Sequence, residues 1–123
     1  MRTLLVTILL AGAASVHAGE TRHYIDVVNT APDDIVALAV APAGTNRFHT
    51  MALAGNLVQG GGDSTTIAVV ADGAGAACLF DLRFGFANGR TLIQKNFDVC
   101  KYRSYHTGRY LRGRTQTVVA SVP

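Results

Sequence analysis

The sequence predicts an all-β fold: a single antiparallel β-sandwich of about seven strands, for which an immunoglobulin-like arrangement is one form. Three observations lead there. Short runs rich in β-branched and aromatic residues alternate with turn clusters at roughly ten-residue spacing. The segment from Cys78 to Phe86 alternates with period two, which marks a strand with one buried face. No stretch beyond the leader keeps a helical period between capping residues.

Taken in order, Tyr24 to Val28 is the first run, and Asn29-Thr30-Ala31-Pro32-Asp33-Asp34 ends it with turn-forming residues. Ile35 to Val40 is the second, closed by Ala41-Pro42-Ala43-Gly44. Phe48 to Leu53 is a weaker third. Glycine and asparagine around Leu57-Val58 break the chain before Thr65 to Val70, a strand by its β-branched content. In the fifth run Cys78, Phe80, Leu82, Phe84 and Phe86 share one face, and Asp81 and Arg83 are expected on the solvent side. Asn88-Gly89 is a hairpin signal, because both residues tolerate positive φ, and Arg90 to Cys100 returns as the partner strand. Thr117 to Val122 is the last strand. Lys101 to Arg114 shows no clear period.

The hairpin brings the two cysteines together. A two-residue loop at Asn88-Gly89 sets position 78 opposite 99, and a three-residue loop or one bulge moves the register by a single place. Cys78 and Cys100 thus fall side by side at the open end of the hairpin, within reach of a disulfide.

The first eighteen residues address the chain. Met1-Arg2 supplies a positive start, Thr3 to Val16 an apolar and small-residue run, and Val16-His17-Ala18 a cleavage signature before Gly19. Together these are the three parts of a secretory signal peptide. Residues 19–123 then form one domain, periplasmic or extracellular, without a membrane-spanning segment. An even cysteine count suits an oxidising destination.

The full chain carries a formal charge of +3, about +2 once Arg2 leaves with the leader. Lys101, Arg103, Arg109, Arg112 and Arg114 crowd one segment with three tyrosines and no acid, so this is the candidate interaction segment. Export argues against nucleic acid and for an anionic envelope surface or the acidic face of an envelope protein. The competing reading is a solvated connection, or one whose Tyr rings pack onto the sandwich.

Other constellations carry less. His49 and Met51 point the same way on a strand and could offer imidazole and thioether to copper. They resemble the His-x-Met half of the cupredoxin-like periplasmic copper chaperones, which need a further Met and His upstream; Met51 is the only Met after the leader. Gly60-Gly61-Gly62-Asp63-Ser64 is a single imperfect copy of a calcium-binding glycine repeat and reads better as a turn in which Asp63 or Ser64 bonds local backbone. Asp81 and Asp98 could be drawn as a carboxylate pair, but cross-strand pairing with Arg83 or Lys95 is the plainer reading. There is no Gly-x-Ser-x-Gly, no His-Glu-x-x-His and no phosphate loop. No catalytic residue and no cofactor is expected.

The segments Gly60 to Thr66, Cys78 to Arg83, Phe86 to Arg90 and Phe97 to Cys100 resemble a group of small, uncharacterised exported proteins of proteobacteria. The resemblance implies a two-Cys β domain with a periplasmic address and transfers no activity. The function expected is a non-enzymatic interaction module for an envelope component. The alternatives are a copper-type metal-binding protein, or an inhibitor or immunity protein of an envelope-directed hydrolase.

Overall fold

A computed structural model describes residues 21–71 and 78–121; the leader and its cleavage point lie outside them. Eight strands are present among the described residues: β1 (Thr21–Asn29), β2 (Ile35–Pro42), β3 (His49–Thr50), β4 (Asp63–Ala71), β5 (Leu79–Phe86), β6 (Thr91–Asp98), β7 (Ser104–His106) and β8 (Thr117–Ser121). They form two sheets, ordered β4-β1-β7 and β3-β2-β5-β6-β8. This is the β-sandwich that the alternation predicts. The strand beyond the expected seven is β7, inside the segment without a visible period.

The inward residues of both sheets make one core. Ile25, Val27, Ile67 and Val69 come from the smaller sheet, and Leu38, Leu82, Phe84 and Leu92 from the larger. In β5, Phe80, Leu82, Phe84 and Phe86 are all buried, as the period-two pattern requires.

Two pairings depart from the antiparallel expectation: β7 runs parallel to β1, and β8 parallel to β6. Parallel neighbours need a crossover instead of a hairpin. The basic segment supplies both crossovers, carrying the chain from β6 to β7 in the other sheet and back to β8. It is a structural connection, and it buries Tyr105 and Thr107 on the way.

The β5–β6 hairpin also differs in detail. Gly85 faces Thr91, and the Phe86 N–H bonds the Arg90 carbonyl, so the loop is Ala87-Asn88-Gly89, three residues long, with Gly89 at φ 85°. A bulge between Phe80 and Leu82 then shifts the register back by one, and Leu79 faces Asp98. Loop and bulge cancel, so the cysteines arrive together as a two-residue loop alone would place them. Cys78 and Cys100 form a disulfide with Cα atoms 5.4 Å apart.

The bulge explains the clearest correction. Asp81 lies on the face expected to be solvated, yet it is fully buried. Its Oδ1 accepts from the Asn96 N–H at 3.0 Å, and Oδ2 accepts from the Gly44 N–H at 3.1 Å and from the Lys95 ammonium at 3.1 Å. The carboxylate fills the bulge, where Asn96 sits at φ 53°, and the β2–β3 turn covers it. Burial pushes its carboxyl upward, but the two backbone bonds and the Lys95 pair outweigh that and hold it below the usual carboxylate range. Arg83 is exposed, with its guanidinium 4.2 Å from the Phe48 ring centre.

Candidate functional site: an aromatic and basic cleft

The cleft is built where the chain crosses between the sheets. After β6, Asp98 sets the turn: its Oδ1 accepts from the Cys100 and Lys101 N–H groups at 3.0 and 3.1 Å. The chain then enters β7, fixed when the Asp26 N–H bonds the Arg103 carbonyl at 2.8 Å. Alternation in β7 sends Tyr105 inward between the sheets. Its ring stacks between Phe84, centroids 5.1 Å apart, and Tyr110 at 4.9 Å, and Phe97 meets it edge-on at 5.5 Å. The buried phenol donates to Gln94 Oε1 at 3.0 Å. Burial, with a smaller contribution from Tyr110, raises its pKa far above the ordinary phenol value, so Tyr105 stays neutral and donates.

The single-turn 3-10 segment Thr107–Arg109 follows, held from beneath by buried Asn29. Asn29 satisfies all its hydrogen-bonding capacity. Its Nδ2 donates to the Asp33 and Val58 carbonyls at 2.8 and 2.9 Å, and its Oδ1 accepts from the Ala31 N–H at 3.3 Å and the Thr107 hydroxyl at 2.8 Å. One side chain thus ties the β1–β2 turn, Val58 and the 3-10 turn together. Gly108 packs so closely on Thr30 that an added Cβ would lie 2.7 Å from the Thr30 carbonyl oxygen.

Above this base opens a cleft of about 290 Å³, lined by aromatic rings of Phe97, Tyr102, Tyr105 and Tyr110 and by His106 and Arg109. Lys101 sits at its margin, its ammonium 5.3 Å from the Tyr102 ring centre. All five cations of the segment are exposed. Among the described residues the one ion pair is Lys95–Asp81, so none of the five is neutralised by a carboxylate.

The structure divides the candidate set. Arg109 lines the cleft, and Lys101 and Arg103 flank it on the same crossing. Arg112 and Arg114 belong to the second crossover, which Arg90 clasps: its guanidinium donates to the carbonyls of Arg112, Gly113 and Thr115 at 3.3, 3.1 and 3.0 Å. Tyr105 belongs to the candidate segment, whereas Phe97 as a member of the site and the support from Asn29 and Gln94 are not marked in the sequence. A buried polar network leaves no periodic signal. The interleaving of Tyr with Arg was the one trace of the cleft.

His49 and Met51 do share a site, a cleft of about 390 Å³ between the β3 and β4 edges. The rest of its lining is largely apolar, including Val40, Pro42, Val69 and Phe80. The only close group of three or more His, Cys, Asp or Glu ligand atoms among the described residues is Cys78, Asp98 and Cys100, and His49 is outside it. The glycine turn behaves as a turn: Asp63 accepts from the Gln59 and Ser64 N–H groups at 3.3 and 2.9 Å. No helix among the described residues is long and apolar enough to cross a membrane.

Comparison with known protein families, with curated proteins and with solved structures finds no match to this chain.

Proposed function

We propose that this protein is an exported, non-enzymatic binding module that docks on a phosphate-bearing anionic surface of the cell envelope through the cleft around Tyr105. The observation that carries the reading is the set of exposed cations left without carboxylate partners beside a preformed aromatic cleft. Lys101, Arg103 and Arg109 supply attraction to phosphate, with Arg suited to paired hydrogen bonds. The tyrosine rings supply apolar faces with polar rims, the combination that suits a membrane–water boundary. Because Tyr105 and the 3-10 turn are held by buried hydrogen bonds, little ordering is needed on binding. The disulfide fits the exported address.

The reading is tested by sedimentation with vesicles of anionic or zwitterionic phospholipid, and with lipopolysaccharide. Binding is expected to the anionic surfaces alone and to weaken as salt rises, because screening acts over about 8 Å at physiological ionic strength. Arg103→Ser with Arg109→Ser should remove it while Arg112→Ser leaves most of it. Equal binding to zwitterionic vesicles, or no binding to either anionic surface, defeats the reading.

A further inference from the structure

We propose that reduction of the Cys78–Cys100 disulfide uncovers a zinc site formed by Cys78, Cys100, Asp98 and His23. The inference is independent of the anionic-surface reading and concerns the opposite redox state of the staple.

The placement is specific. The sulfur atoms of Cys78 and Cys100 and a carboxylate oxygen of Asp98 all lie within 4.8 Å of one another. His23 approaches from the other sheet, its Nε2 4.0 Å from the Cys100 sulfur. His23 shares the inward side of β1 with Ile25 and Val27, at the end of the sandwich. Asp98 Oδ1 accepts from the Cys100 and Lys101 N–H groups, which orients the carboxylate beside the two sulfurs. Two thiolates, an imidazole and a carboxylate are the donor types of four-coordinate zinc, with Zn–S near 2.3 Å and Zn–N near 2.0–2.1 Å. Tetrahedral ligand atoms at those lengths stand roughly 3.3–3.8 Å apart. The sulfurs must separate from bonding distance to reach that spacing, and side-chain rotation can supply the change at an exposed Cys100. His23 is close to that spacing from the Cys100 sulfur but stands more than 4.8 Å from the Cys78 sulfur, the Asp98 carboxylate or both, so its ring must swing inward by more than 1 Å to complete the set.

The chemistry balances with a dithiol as reductant. It delivers two electrons and two protons, the disulfide becomes two thiols, and the reductant closes its own disulfide. Zinc then binds the two thiolates, and their two protons pass to solvent. The consequence is mechanical. The disulfide joins the strands of one hairpin in the larger sheet, whereas zinc held by His23 as well would clamp that sheet to the smaller one. Loss of one staple would thus create another of different geometry.

The experiment titrates zinc, in competition with a chromophoric chelator, into the leaderless chain either oxidised or reduced with a phosphine. Cobalt substitution reports the coordination. The reduced chain should take up one zinc per molecule at least 100-fold more tightly than the oxidised chain. Its cobalt form should show thiolate-to-metal absorption and the intense visible bands of a tetrahedral site. His23→Ala should weaken zinc at least tenfold, and Asp98→Asn should weaken it as well. Equal affinity in the two redox states, or unchanged affinity in His23→Ala, overturns the proposal. If the reduced chain unfolds without metal, zinc should restore the far-ultraviolet circular dichroism of the oxidised chain; failure to restore it is equally fatal. A double variant with Ser at positions 78 and 100 should show neither the affinity nor the absorption.

Discussion

Replacing Asp81 by Asn probes how the hairpin bulge is held. The wild-type carboxylate receives two backbone N–H bonds and the Lys95 ammonium on its two oxygens, and it is fully buried. An asparagine has one acceptor oxygen, so its amide would face either the Asn96 N–H or the donors at Gly44 and Lys95. One charge-assisted bond, about 1.5–3 kcal/mol, is lost, and a buried donor is left unpaired at a further cost of about 1–3 kcal/mol. Lys95 is 34% exposed, so the ion pair itself adds little. The net destabilisation should be about 2.5–6 kcal/mol at pH 7. The pH dependence fixes the cause. The folded-state pKa of Asp81 is depressed, so its contribution is full above the unfolded value near 3.9 and is lost as pH falls through the lower folded value. Urea unfolding followed by circular dichroism at pH 7, 5, 4 and 3 should show the gap between wild type and variant shrinking below pH 4. A variant within 0.5 kcal/mol of wild type at pH 7, or a gap constant with pH, refutes the reasoning.

Thiol titration of the unreduced, denatured leaderless chain should find no free thiol, and Cys100→Ala should cost roughly 3 kcal/mol in denaturant unfolding, as expected for the loop that the disulfide closes. Phe84→Ala should cost about 3–5 kcal/mol, since the ring is fully buried against Tyr105, while Arg83→Ala should stay within about 1 kcal/mol; comparable effects would contradict the face assignment. Asn29→Ala should cost about 3–5 kcal/mol, because it strands the Asp33 carbonyl, the Ala31 N–H and the Thr107 hydroxyl at once and leaves the Val58 carbonyl with the Ile35 N–H alone. It should also speed amide exchange at Gly108, which sits in the turn that Asn29 supports.

Much of the sandwich was legible because half-buried strands write their face into the sequence. Phe80, Leu82, Phe84 and Phe86 did so, and the Asn88-Gly89 turn located their partner strand. Asp81 misled for an instructive reason. Period two identifies the side of a sheet, but not whether a distant turn covers that side, and the Gly44 turn does. β7 escaped because three residues are too few for periodicity, and its Tyr105 lies among Arg, Ser and His. Parallel pairing escaped because it depends on where crossovers land. The cleft was half legible: the cations and their tyrosines stood out, while Phe97 and Gln94 lay unmarked within the partner strand Arg90 to Cys100. Asn29, read as a turn residue, is the buried support of the site.

The central claim is that the cleft lined by Tyr102, Tyr105, His106, Arg109 and Tyr110 meets an anionic surface. Backbone amide shifts of isotopically labelled leaderless protein, titrated with small anionic phospholipid bicelles at low salt, test this most directly. The account predicts that shifts and broadening centre on residues 101–110 and vanish in the Arg103→Ser Arg109→Ser variant. Perturbations centred instead on the His49–Met51 cleft, or spread evenly over the surface, would contradict it.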